Sequence, residues 1–264
     1  MTNHTTNQLI ELLTHPDGTQ RRQAALALGT SADPAAAEAL VERLSVESQS
    51  CVREDLTWAT VQHIDTALPQ VLAMLTSEEP GKRRTGAHVL SKVGDPEHLE
   101  HLVPLVADEH SDVAIKAYRA VANTGRPEAL DALAARLGDG DSLQRDALTA
   151  AFDRFGETAV PLLVTALASE DADVREHAAD VLGHVGQDAD ASAPVLAALA
   201  ADSVPSVRLA AVSALGQLGP VAHLALEGLA TGPDARVAAV ARRFLAQARA
   251  KALSVSTASA SPAR

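Results

Sequence analysis

The sequence predicts an all-α fold, an α-solenoid or superhelix of about eight stacked antiparallel helix pairs, and three observations predict it. Arginines recur in register at Arg21, Arg53, Arg83, Arg145, Arg175, Arg208 and Arg236, with Ala114 in the one vacant slot. The steps are 32, 30, 31, 31, 30, 33 and 28 residues. A second ladder runs about eight residues ahead of the first, at Leu13, Leu44, Leu75, Val106, Leu137, Leu167, Leu199 and Leu229. The third observation is composition: 47% of the 264 residues are hydrophobic but only 2% aromatic, so the core is built from Ala, Leu and Val. These are largely strong helix formers. Self-similarity at this period means units that bury their apolar faces against their neighbours.

Each unit reads as two helices. In the sixth, Val160, Leu163, Val164 and Leu167 follow the i, i+3, i+4, i+7 spacing of one helix face. Val174, Ala178, Val181, Leu182 and Val185 do the same in its second helix. Asp171 and Asp173 between the two offer N-cap oxygens, and Gly183 and Gly186 are expected to end the second helix. The other units repeat this grammar. Asp33-Pro34 and Asp95-Pro96 place a cap residue before proline, where the missing N–H costs nothing. Pro69 and Pro161 lie six residues before the anchoring leucine and are expected to bend first helices. Gly94, Gly125, Gly156, Gly186 and Gly219 all stand eleven residues after the arginine slot. Eight units make one solenoid over residues 5–248. Residues 249–264, rich in Ala and Ser without a periodic apolar stripe, are expected to be disordered.

The formal net charge of −12 keeps an alanine-rich surface soluble and disfavours nucleic acid, whose affinity comes from neutralised phosphates. The single cysteine, Cys51, excludes an intramolecular disulfide and fits a reducing, cytoplasmic setting. No apolar run has the length of a membrane span, and residues 1–7 do not read as a targeting signal. The expected partner is another protein, with no nucleic acid, membrane or cofactor.

Asp173-Val174-Arg175-x-x-Ala178-x-x-x-Leu182-Gly183-x-Val185-Gly186 and Ser206-Val207-Arg208-x-x-Ala211-x-x-x-Leu215-Gly216-x-Leu218-Gly219 resemble HEAT repeats, and more narrowly the short HEAT-like repeats of phycobilisome lyases. The resemblance covers residues 5–248. It implies that the aspartates and arginines form a structural ladder between neighbouring second helices, with Arg21, early in the stack, mattering less than Arg175. It departs from the pattern at Ala114 and at Thr60-Val61, which replaces Leu-Gly. It also implies that second helices line the concave side of an arc, the face on which such scaffolds or adaptors engage partners.

On second helices, positions +3, +7 and +10 from the arginine are core, leaving +1, +2, +5 and +9 outward. Units two to four fill these with Asp55, Trp58 and Gln62, then Arg84, His88 and Lys92, then Lys116 and Arg119, joined by Glu54, Thr85 and Asn123. An indole among cations is the composition of an interface anchor, so this row is the expected partner-binding site. Units seven and eight offer instead a small apolar strip, Leu209, Ala210, Ser213, Val237, Ala238 and Ala241.

Neither metal nor catalysis is expected. His177, Asp180 and His184 share a face, but the outer pair is two turns apart, roughly 10 Å by helix rise, too far for one ion, and a solvated polar face is expected. His98 and His101 are expected to face outward, without a matching pair on an adjacent helix. Deoxyhypusine hydroxylase, a metal enzyme built of such repeats, carries His-Glu dipeptides. Here Glu97-His98, Glu100-His101, Glu109-His110 and Glu176-His177 are all reversed. The alternative function carried by the resemblance is a bilin-lyase-like, chromophore-handling protein.

Overall fold

The computed structural model describes residues 4–31 and 33–259, with side chains through Lys251. Among these residues there are helices and no strand, and the helices alternate as pairs through the whole sequence, as an α-solenoid requires. The pairs gather into two compact units, Met1–Ala129 and Leu130–Arg264.

In the first unit the pairs are α1 (Thr6–Leu12) with α2 (Gly18–Thr30), and α3 (Ala36–Val46) with α4 (Ser50–Gln62). Next come α5 (Ile64–Leu75) with α6 (Pro80–Val93), and α7 (Leu99–Leu102) with α8 (Ser111–Asn123). The second helices α2, α4, α6 and α8 pack side by side. The second unit pairs α9 (Ala129–Ala134) with α10 (Ser142–Asp153), and α11 (Val160–Ala166) with α12 (Ala172–Val185). It continues with α13 (Ala193–Leu199) and α14 (Pro205–Leu218), then α15 (His223–Ala230) and α16 (Ala235–Ser259). Here α10, α12, α14 and α16 form the corresponding row.

The anchoring ladder is core: Leu13, Leu44, Leu75, Val106, Leu137 and Leu167 are all buried, while Leu199 and Leu229 are half-buried. Asp17, Asp141 and Asp171 cap α2, α10 and α12 by accepting backbone N–H bonds. All five glycines eleven residues past the arginine slot have positive φ, between 50° and 89°, which an L side chain resists.

Several local expectations change. Gly183 does not end α12. It is buried inside the helix, where an added Cβ would lie 3.0 Å from Ala214 Cα on α14, so the glycine serves close approach of neighbouring second helices. Gly29 has the same role beneath Trp58 and Ala59. Pro161 does not bend a long first helix. A 3-10 turn, Gly156–Ala159, precedes α11, and Pro161 then falls in that helix's first turn, where its lack of N–H is harmless. Pro69 is inside α5 as expected. Asp173 lies within α12, so Asp171 alone is its N-cap. α16 runs to Ser259, and residues 260–264 lie outside the described ones. Of the apolar strip, Ala210, Val237, Ala238 and Ala241 are buried and belong to the core, while Leu209 and Ser213 are half-buried. No described helix is long and apolar enough to cross a membrane.

Candidate functional site

The arginine ladder has a defined chemistry in four places. Arg21 holds Glu47 through two bonds, Nε to Oε2 at 2.7 Å and Nη2 to Oε1 at 3.1 Å. Arg83 holds Asp108 at 2.6 and 2.9 Å, and Arg175 holds Asp202 at 2.9 and 3.0 Å. Arg208 reaches Asp234 at 2.9 Å. In each case Nη1 also donates to two carbonyls in the turn ahead of its own helix, such as Ser169 and Glu170 for Arg175. One guanidinium thereby ties its own turn to the turn of the next pair. Each acid also accepts a backbone N–H near the start of the following helix, as Asp202 does from Val204.

The remaining rungs differ from expectation. Arg145 lies 3.7 Å from Asp173 and donates to the Gly138 carbonyl. Arg53 and Arg236 have no ion pair among the described residues, so these two are not ties between pairs. The reason is the acid's position. In the bidentate rungs it stands six residues before the next arginine slot, at Glu47, Asp108 and Asp202; opposite Arg53 that place is Ser77. Arg236, only 28 residues beyond Arg208, is out of register: Asp234, two residues before it, is the acid that Arg208 holds. The tie therefore runs to an acid in the turn, and the aspartate at Asp173 makes only the loose contact with Arg145.

The predicted row lies on α4, α6 and α8 of the first unit. Trp58 is 40% exposed, and its ring rests on Gly29 of α2, where a Cβ would come within 2.4 Å of Cζ3. The indole is thus both seated on the neighbouring helix and open to solvent. Together with Glu54, Thr57, Val61 and Lys92 it lines a shallow cleft of about 260 Å³. A second, narrow cleft of about 30 Å³ brings Arg53, Glu54, Arg84, His88 and Lys116 together. Glu54 receives His88 Nε2 at 3.2 Å. His88 Nδ1 is buried without a hydrogen-bond partner. Burial, and then the charge of Lys116, push the His88 imidazole below its ordinary value against the opposing pull of Glu54. Burial likewise lowers Lys116, assisted by Arg84, Arg119 and Lys92. Asp55 is turned to other work: its carboxylate pairs with Arg22 of α2. Gln62 is the exposed last residue of α4 and lines neither cleft.

The histidines considered for metal are placed otherwise. His177 is buried, not solvated. Its Nδ1 accepts the Gly138 N–H at 3.1 Å, so the neutral ring carries its proton on Nε2, which lies 3.2 Å from the Arg145 carbonyl and 3.1 Å from Thr149 Oγ1. Burial keeps its pKa below the ordinary value. His98 is buried and His101 exposed, so they do not share an outward face. A buried histidine the sequence reading passed over, His63, places Nε2 2.8 Å from the Leu28 carbonyl. Among the described residues no group of three or more His, Cys, Asp or Glu side chains is arranged to hold a metal ion. In the second unit, Phe244, Leu226, Pro220, Gln187 and Gln217 line a larger cleft of about 710 Å³.

Residues 3–60, 68–153, 145–216 and 160–246 match the family model described as HEAT repeats. No curated protein matches the sequence. Among solved structures, the chain is similar to Kap95p in a structure with RanGDP, at TM-score 0.60 and 14% identity, covering 92% of this chain and 40% of that one. It is also similar to Kap121p bound to Nup53p, at TM-score 0.55 and 16% identity, covering 92% and 34%. The CpcE–CpcF complex of phycocyanin lyase from Nostoc sp. PCC7120 aligns at TM-score 0.44 and 20% identity, covering 95% and 96%.

Proposed function

The chain belongs to the HEAT-repeat family, and on that premise we propose that it is a non-enzymatic protein-binding module. Its partner docks on the second-helix face of the first unit. The observation that carries this reading is Trp58: a large aromatic ring fixed by packing on Gly29, yet 40% exposed and bordered by cations of α6 and α8. A preorganised aromatic next to charged groups loses little entropy on binding, which is why such residues anchor interfaces. Parallel second helices offer a row of equivalent positions (Trp58, His88 and Arg119) at roughly 8–10 Å per helix, suited to an extended segment or a helix laid across them. Arg84, Lys92 and Lys116 flank that row, with Asp55 and Gln62 at its margin.

The test is site-specific photo-crosslinking from position 62 of the full chain in extract of the source cells. One protein should be captured by the wild-type face and lost on Trp58→Ala, with the helical circular dichroism unchanged. Capture that is indifferent to Trp58→Ala and to His88→Ala would refute the site.

A further inference from the structure

The first unit contains eleven Lys and Arg residues. Six of them, Arg21, Arg22, Arg43, Lys82, Arg83 and Arg126, each hold a carboxylate within 3.1 Å. The other five are Arg53, Arg84, Lys92, Lys116 and Arg119, and among the described residues none has an ion-pair partner. All five gather in one place, on α4, α6 and α8 around the two clefts described above. We propose that this cluster is a receptor for an acidic segment of a partner protein: a short run of Asp or Glu side chains with an apolar residue beside it that lies against Trp58. The proposal rests on the protein-binding reading and names the chemistry of the partner.

The physical argument is one of charge placement. Elsewhere the unit neutralises its cations locally, as a chain with net charge −12 readily can. Here it does not: the one carboxylate within the cluster is Glu54, and that group is engaged with His88. Arg84 and Lys116 are half-buried, so their mutual repulsion is less screened than on an open surface. Burial first, and then Arg84, Arg119 and Lys92, depress the Lys116 pKa against the pull of Glu54. Such an arrangement costs the free protein stability and is relieved when carboxylates arrive. The geometry limits the ligand. Lys116 and Arg119 lie on α8, Arg84 and Lys92 on α6, and neighbouring helices are roughly 8–10 Å apart, a span met by two or three carboxylates on an extended chain. Trp58 borders the Lys92 end and supplies the apolar contact.

A nucleic acid fits less well. Its phosphates call for a long basic stripe, whereas five cations here are bordered by Glu54 and Asp55 on an acidic protein.

The test uses the full chain and three fluorescein-labelled probes: a ten-residue peptide with four Glu and one Phe, the same peptide with Gln for Glu, and a ten-nucleotide single strand. In anisotropy titrations at low salt the acidic peptide should bind, weakening at least tenfold as salt rises from 50 to 300 mM. The Gln peptide should bind at least tenfold more weakly. Lys116→Glu with Arg119→Glu, one half-buried and one exposed position, should abolish acidic-peptide binding while circular dichroism is retained. Absence of binding, equal binding of the Gln peptide, tighter binding of the oligonucleotide, or indifference to the charge reversal would each overturn the proposal. If partner capture is lost with Trp58→Ala but survives the charge reversal, the docking face stands and the acidic specificity falls.

Discussion

Arg21 closes a fork-on-fork pair on Glu47, at 2.7 and 3.1 Å, and the Glu47 side chain is wholly removed from solvent. Arg43 and the Gln49 N–H complete its shell. This is the most buried rung of the ladder, although the repeat argument alone makes it matter less than Arg175.

Replacing Arg21 by Ala should therefore destabilise more than the same change at Arg175, whose partner Asp202 keeps some solvent contact. An unpaired buried carboxylate is costly, and a fall in melting midpoint of about 10 °C is expected for Arg21→Ala, with about half that for Arg175→Ala. Scanning calorimetry of the two variants checks the order, and the reverse order would contradict it.

Glu47 also predicts acid behaviour. Burial alone would raise its carboxyl, but bonds from Arg21, the Gln49 N–H and Arg43 outweigh burial and hold it at about 2, from 4.5 unfolded. A depressed acid stabilises fully above its unfolded value. Its contribution should be lost as pH falls from about 4.5 toward 2. Glu47→Gln should flatten urea-melt stability across that window, and an unchanged slope would speak against the pairing.

His177 acts through a higher window. Burial favours the neutral ring, so the unfolded chain takes up a proton first as pH drops below about 6.5. Stability should decline from there downward until the folded ring itself titrates. Imidazole resonances followed by NMR should show His177 titrating below the ordinary imidazole value; a titration at or above 6.5 would show that Nδ1 does not depend on the Gly138 N–H.

Asp180 works in the opposite sense. Its residue is exposed on α12, but partial desolvation at the helix surface, and then Glu176, raise its carboxyl to about 6, so the folded state binds the extra proton between about 4 and 6. Asp180→Asn removes the cost of the ionised form, and because solvent screens an exposed group the melting midpoint at pH 7.5 should rise only slightly, with no gain at pH 4.5.

Gly29→Ala should cost about 1–3 kcal/mol, because the new methyl meets the Trp58 ring at 2.4 Å and the Ala59 backbone at 2.9 Å. Wild-type Trp58 should be accessible to a neutral quencher, and the substitution should red-shift its emission as the ring is displaced. A fully protected indole in the free protein would remove both this contact and the proposed docking face.

What the sequence by itself determined is whatever depends on near neighbours along the chain. Helix faces, the aspartate caps and the left-handed glycines act within one turn or a few residues. Repetition every thirty or so residues then multiplied a weak signal eightfold. What only the tertiary structure decided is whatever needs a partner on another helix. Arg53 matches the period as well as Arg175 does, yet a rung exists only where an acid occupies the facing turn, and that acid lies 25 to 27 residues away in the next pair. His177 reads as a polar surface residue because its own helix says nothing of Gly138, Arg145 and Thr149, whose backbone and hydroxyl groups make its burial tolerable. Likewise Trp58 could be core or surface from its spacing, and it is Gly29, one helix back, that lets the ring be held at its edge while the rest stays in solvent. Local periodicity sets which face a side chain is on; contact across helices sets whether that face is satisfied, paired or left open.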